Sequence, residues 1–179
     1  MTRRFSVLRA LALTIALTLT VAACVGRGAL TCPTPLILDQ TSQLVRFVPG
    51  GSIAMENLDF HAEIKVTGMT CGYKDELLSE LEVNMDLEIS AVRGAGNTTG
   101  VAEFEYFVAI TDVRGTILNK QVFDLEMDLG EVGETVTEDE GIWQKYEFLR
   151  GQSGQAYRVW SGFQMTERDL EISRMLRDQ

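Results

Sequence analysis

One histidine in 179 residues, three cysteines, and 16 lysines and arginines against 26 acids are the scarcities that first constrain this chain. A single imidazole cannot supply a histidine-rich zinc site. His61 falls on the polar side of an alternating segment and reads as a solvated strand residue. Positive charge is scarcer still in the body of the chain. Arg3, Arg4 and Arg9 lie in the first nine residues, and the 156 residues after position 23 carry a net charge of −13. Such a surface repels phosphate backbones and anionic lipid, so nucleic-acid binding and charge-driven membrane adhesion are excluded. The Gly-x-Ser-x-Gly elbow, the Ser-x-x-Lys pair, the glycine-rich phosphate loop and the His-Glu-x-x-His pair are all missing. Catalytic residues, cofactor and resident metal are therefore left unassigned, and the chain is expected not to be an enzyme. No internal repeat or low-complexity tract is present, and the length suits one ordinary domain.

What is present begins with an address. A basic start, an apolar stretch from Leu11 to Ala23 and small residues at its end read as a signal peptide over residues 1–23. The stretch is short of the ~20 residues that a spanning helix needs, and no stop-transfer pattern comes after it; a retained helical anchor is the competing assignment. Val21-Ala22-Ala23-Cys24, directly after it, resembles the lipobox of bacterial lipoproteins, in which the cysteine becomes the lipidated first residue. The resemblance implies a diacylglyceryl thioether on Cys24, and several acyl chains hold permanently at ~0.8 kcal/mol per buried methylene. The start Cys24-Val25-Gly26 lacks the aspartate that retains such proteins at the inner membrane. The resemblance thus implies lipid anchoring at the periplasmic face of the outer membrane, with the inner membrane as the alternative. Residues 24–31 form a tether of at most about 25 Å.

Lipidation of Cys24 would leave Cys32 and Cys71 in an oxidising compartment. A bridge between them closes a loop of about 39 residues and contributes roughly 4 kcal/mol in the chain-entropy model. Two free thiols are the alternative. The lipobox, the cysteine pair and the segment from Val159 to Thr166 together resemble small uncharacterised lipoproteins of Gram-negative bacteria. That likeness implies location and fold, and carries no site residue.

From residue 33 onward the dominant pattern is alternation. Phe60, Ala62, Ile64 and Val66 alternate with polar residues, and so do Leu81, Val83, Met85, Leu87 and Ile89. A period of two puts one face on a core and the other in water. Helix competes over residues 75–90 on propensity alone, but a helix would scatter these side chains around its circumference. Further strands are predicted over residues 101–113, with Phe104, Tyr106, Val108 and Ile110 inward, and on the return with Phe123, Leu125, Met127 and Leu129 inward. Arg114-Gly115 marks the hairpin tip. Residues 130–141 read as an acidic connection with a short strand at Thr135 to Thr137, then come strands over 142–148 and 156–165. The segments at 35–38 and 44–48 suit sheet edges, where Pro33 and Pro35 are tolerable.

About seven or eight strands predict an all-β antiparallel sandwich of the immunoglobulin or fibronectin type over residues 32–179, a closed barrel being the alternative. Thr166 with Asp169 offers an N-cap for a short helix at 167–177. Its apolar stripe of Leu170, Ile172, Met175 and Leu176 is expected to pack against one end of the sandwich. Two features invite a ligand. Glu138, Asp139 and Glu140 share the predicted acidic loop, and calcium takes several converging oxygens, although the acids also serve simply as solvated edge charges. Trp143, Tyr146, Tyr157 and Trp160 fall on two neighbouring strands; the opposite parity of Trp160 to Tyr157, Val159 and Phe163 offers it as an outward contact for a sugar or a partner, but the C-terminal helix is expected to cover it. The leading expectation is a lipid-anchored periplasmic structural or accessory subunit with an envelope protein partner. A ligand-binding module for a sugar, peptide or calcium is the alternative.

Overall fold

Alternation dictates the architecture. In the computed structural model, which describes residues 31–74, 80–147 and 153–177, the inward residues of each strand meet those of a second sheet. The strands are β1 (Thr34–Ile37), β2 (Gln43–Phe47), β3 (Leu58–Lys74), β4 (Glu80–Arg93), β5 (Val101–Asp112), β6 (Ile117–Asp128), β7 (Thr135–Glu147) and β8 (Tyr157–Phe163), followed by the helix α1 (Glu167–Arg177). The front sheet has the order β1-β8-β5-β6 and the back sheet β2-β3-β4-β7. Two separate four-stranded sheets make this an all-β sandwich, not a closed barrel. All neighbours are antiparallel except β1, which runs parallel to β8. Both proline-flanked segments, β1 and β2, lie at sheet edges as expected.

β4 carries the clearest pattern: Leu81, Val83, Met85, Leu87, Ile89 and Ala91 are all buried. They face Phe104, Tyr106, Val108 and Ile110 of β5 across the core. β3 is longer than alternation suggests, because Thr67 forms a bulge opposite β4 between Val66 and Gly68. The extra residue switches parity, so Met69, Cys71 and Tyr73 turn inward where Phe60, Ala62 and Ile64 did before it. The hairpin tip at Arg114-Gly115 is present, with Gly115 at φ 84° and the Asp112 carboxylate accepting the N–H groups of Arg114 and Thr116 at 2.9 Å each.

The disulfide Cys32–Cys71 forms, with its Cα atoms 5.7 Å apart. A small clasp surrounds it. Tyr73 Oη donates to the Thr31 carbonyl at 2.6 Å and accepts the Gly154 N–H at 2.6 Å. Gly154 cannot be replaced without a shift, since a Cβ there would collide with the Thr31 carbonyl and the Cys32 backbone.

The helix spans the predicted residues and is capped as the sequence implies: Thr166 Oγ1 accepts the Asp169 N–H at 3.2 Å, and Asp169 Oδ2 accepts the Thr166 N–H at 3.0 Å. Its placement differs from expectation. α1 packs along the edge strand β2 and the 3-10 turn Asp39–Thr41, where Arg46 of β2 pairs with Asp169 at 3.4 Å and also donates to the Glu103 carbonyl of the front sheet at 2.7 Å. Ile172 is buried, but Met175 and Leu176 of the expected stripe remain exposed.

Three sequence expectations are corrected here. The acidic connection and the strand after it are one continuous strand, β7, so Glu138, Asp139 and Glu140 lie in a strand and not in a loop. Trp143 and Tyr146 on β7 and Tyr157 and Trp160 on β8 belong to different sheets, and their strands are not neighbours. His61 is half-buried; its Nε2 is shielded from water with no hydrogen-bond partner among the described residues, so it is not a solvated strand residue. The leader, the Val21-Ala22-Ala23-Cys24 motif and the tether up to Leu30 lie outside the described residues. Among the described residues no helix is long and apolar enough to cross a membrane.

Candidate functional site

A strand covered on one face alternates, whereas one covered on both faces reads as a continuous apolar run. β5 does both. Its first half alternates, with Glu103 and Glu105 facing water, and its second half, Phe107-Val108-Ala109-Ile110-Thr111, does not. The outward members of that second half are Phe107, Ala109 and Thr111, yet they are only 8%, 4% and 7% exposed. Their cover comes from the neighbouring strands. Trp160 of β8 lies directly across from Ala109, and Lys120 of β6 lies on its other side. Trp160 is therefore on the outer face of the front sheet, as its parity predicts, with its indole Nε1 donating to Thr111 Oγ1 at 3.0 Å. The Lys120 ammonium sits 4.5 Å from the centre of the Phe107 ring and donates to Gln164 Oε1 at 2.6 Å.

These side chains floor an open groove of about 430 Å³, walled by Leu38 ahead of β2, Ile117 after the β5–β6 tip, and Met165 and Leu170 at the start of α1. The helix does not cover Trp160; only Leu170 reaches the groove wall. Gly162 shapes the floor, because a Cβ there would run into Thr41, so a larger residue would displace the 3-10 turn that flanks the groove. Ile117 is left 62% exposed, and Val122 of β6, opposite Phe107, is exposed as well. The outer face of one sheet is thus apolar where solvent-facing positions are ordinarily polar.

The same face changes character along β5. Glu103 stands opposite Glu126, and Glu105 opposite Asp124, so two acid–acid pairs sit side by side just past Phe107 and Val122. Like charges directly opposite each other destabilise a sheet. None of these four carboxylates has a cationic ion-pair partner among the described residues.

The other predicted contact does not join this site. Asp139 is exposed, whereas Glu138 and Glu140 share the inward parity of Val136 and Ile142, so the three acids cannot converge on one cation. Glu140 accepts a hydrogen bond from Tyr106 Oη at 3.2 Å on the inner face of the front sheet, whereas Trp160 is on the outer face. Among the described residues no group of three potential metal ligands comes together. The acidic run is better understood as the polar part of an edge strand.

The Tyr106–Glu140 contact has a consequence for pH. Burial first, and then the adjacent carboxylate, push the Tyr106 hydroxyl above its ordinary value of 10.0, and burial does the same to Tyr146. The folded chain keeps both protons where the unfolded chain loses them at a pKa of about 10. Their stabilisation is therefore complete below pH ~10 and is lost as the pH rises further. The melting temperature is expected to fall between pH ~9 and ~11.5, and to fall less in a Tyr106→Phe/Tyr146→Phe double variant. An equally steep fall in that variant would contradict the assignment.

Comparison with family models, curated proteins and solved structures finds no match. Asp124 and Glu126 lie on the outward face of β6, as their alternation with Phe123, Leu125 and Met127 predicts; of the groove beside them only Trp160 was singled out by the sequence, although the unbroken run from Phe107 to Thr111 was a usable signal.

Proposed function

We propose that the chain is a lipid-anchored β-sandwich protein of the bacterial envelope, held through Cys24 at the periplasmic face of the outer membrane and serving as a non-enzymatic structural or accessory subunit. The observation that supports this reading is the Cys32–Cys71 bridge, which stands immediately after the proposed anchor and ties the first described residues to the interior of the back sheet. Disulfides persist in exported proteins and are rare where glutathione keeps thiols reduced. The short tether places the sandwich close to the lipid, in reach of envelope proteins. In cells given labelled palmitate, the wild-type chain is expected to take up label and fractionate with the outer membrane, and Cys24→Ala to take up none. Persistent labelling of that variant would overturn the anchoring. In-cell crosslinking that returned no reproducible envelope partner would overturn the accessory role.

A second reading, a ligand-binding module for a sugar, peptide or calcium, is favoured by the groove at Trp160. Of those ligands, a peptide best matches a floor made of Phe107, Ala109 and an indole whose N–H is already bonded to Thr111. The positions of Glu138, Asp139 and Glu140 give calcium no convergent oxygen set.

A further inference from the structure

We infer that the outer face of the front sheet is a docking surface for a cationic, partly apolar polypeptide segment of another envelope protein, the apolar residues entering the Trp160 groove and the basic residues meeting Glu103, Glu105, Asp124 and Glu126. This inference rests on the reading of the domain as an accessory subunit and names the chemistry of its partner.

Two properties of one continuous surface select this occupant. Apolar cover is missing from the groove end, where Ile117 is 62% exposed and Trp160 is only partly covered. Cationic cover is incomplete at the other end, where Glu103 faces Glu126 and Glu105 faces Asp124. Arg46 borders these acids, but it is engaged by Asp169 and the Glu103 main-chain carbonyl, and none of the four carboxylates forms an ion pair among the described residues. Residues of the same parity on β5 keep the two ends on one face. Eight residue steps from Glu103 to Thr111, at about 3.3 Å each, set a track of roughly 26 Å. A segment of about nine extended residues reaches from the acid pairs to the indole, with its basic and apolar halves in that order. Each lysine or arginine placed between two facing carboxylates removes a like-charge repulsion that the free protein tolerates.

Charge also disfavours the competing occupants. A second copy carries the same excess of acids over bases, 26 against 16 in the full chain, and its basic and apolar turn Arg174-Met175-Leu176-Arg177 is held in α1, where it cannot lie extended along β5. An anionic lipid surface is repelled by the four carboxylates that flank the groove.

The test is a selection from a displayed library of random 12-residue peptides by the full mature chain in detergent, followed by fluorescence anisotropy with the most enriched synthetic peptide. Enriched sequences are expected to combine apolar residues with Lys or Arg. Binding is expected to weaken about tenfold or more in Trp160→Ala and in a Glu105→Lys/Glu126→Lys double variant. Raising NaCl from about 50 to about 300 mM is expected to weaken it several-fold. Ile117→Glu serves as the groove variant should Trp160→Ala fail to fold, since Ile117 is exposed. The inference is overturned by a selection with no enrichment, by enriched peptides without basic residues, or by unchanged affinity in the charge-reversed variant. It is equally overturned if Ile117→Glu abolishes self-association of the chain, or binding to phosphatidylcholine vesicles, while leaving the peptide unaffected. A crosslinked envelope partner that maps to another surface would overturn this inference and leave the accessory role standing.

Discussion

A Cys32→Ala/Cys71→Ala double variant is expected to lose roughly 2–5 kcal/mol of stability, and at about 2–4 °C per kcal/mol its melting temperature should fall by roughly 10 °C. The bridge spans a sequence separation of 39, for which the chain-entropy model gives roughly 4 kcal/mol. Its loss also loosens the clasp. Tyr73 Oη, Thr31 and Gly154 are held together only while β3 and the segment before β1 stay in register. Urea unfolding with and without dithiothreitol checks the origin of the effect. The reductant should shift the wild type to the midpoint of the double variant and leave the variant where it was. A wild type indifferent to reduction would mean that the bridge contributes nothing.

Phe163→Ala is the second large effect, expected to cost about 3–5 kcal/mol. Phe163 is fully buried, faces Tyr106 across β8 and β5, and meets Phe104 edge-on with ring centres 5.2 Å apart. Few neighbours can collapse into the space, because β8 is flanked by strands on both sides and Gly162 is already pressed against Thr41. The exposed Val132→Ala provides the contrast and should stay within about 0.5 kcal/mol of the wild type. A cost below about 1 kcal/mol for Phe163→Ala in urea unfolding would contradict the packing described.

The residues explain what could be read beforehand. β4 was legible because its inward positions are apolar and most of their neighbours polar, so a single pattern fixed strand, face and burial. β3 was legible only up to Val66, since the bulge at Thr67 reverses parity and makes the second half look patternless. β7 was misread for a different reason. At an edge, Glu138 and Glu140 can take inward positions because the rim of the sandwich is wet and Tyr106 offers a hydroxyl. The acids thus masked a strand as a loop, and the proposed ion contact disappeared with the loop. In the candidate site, Trp160 was found by parity, but its companions Phe107, Ala109 and Lys120 come from strands whose order in the sheet no local pattern reveals. The capping pair Thr166 and Asp169 correctly set the helix; where the helix lies depended on Arg46, which is 123 residues away from Asp169 in the chain.

The clasp around Cys32 also determines how the domain would carry mechanical tension. β1 is only four residues long and holds β8 through a short parallel register, so a pull on residues preceding it would peel it first if the chain were unbridged. With Cys32 bonded to Cys71, force arriving from the N-terminal side bypasses β1 and enters β3, a 17-residue strand paired along its length with β4. Tension arriving from the N-terminal side therefore falls on the longest seam of the back sheet and spares the short β1–β8 pairing.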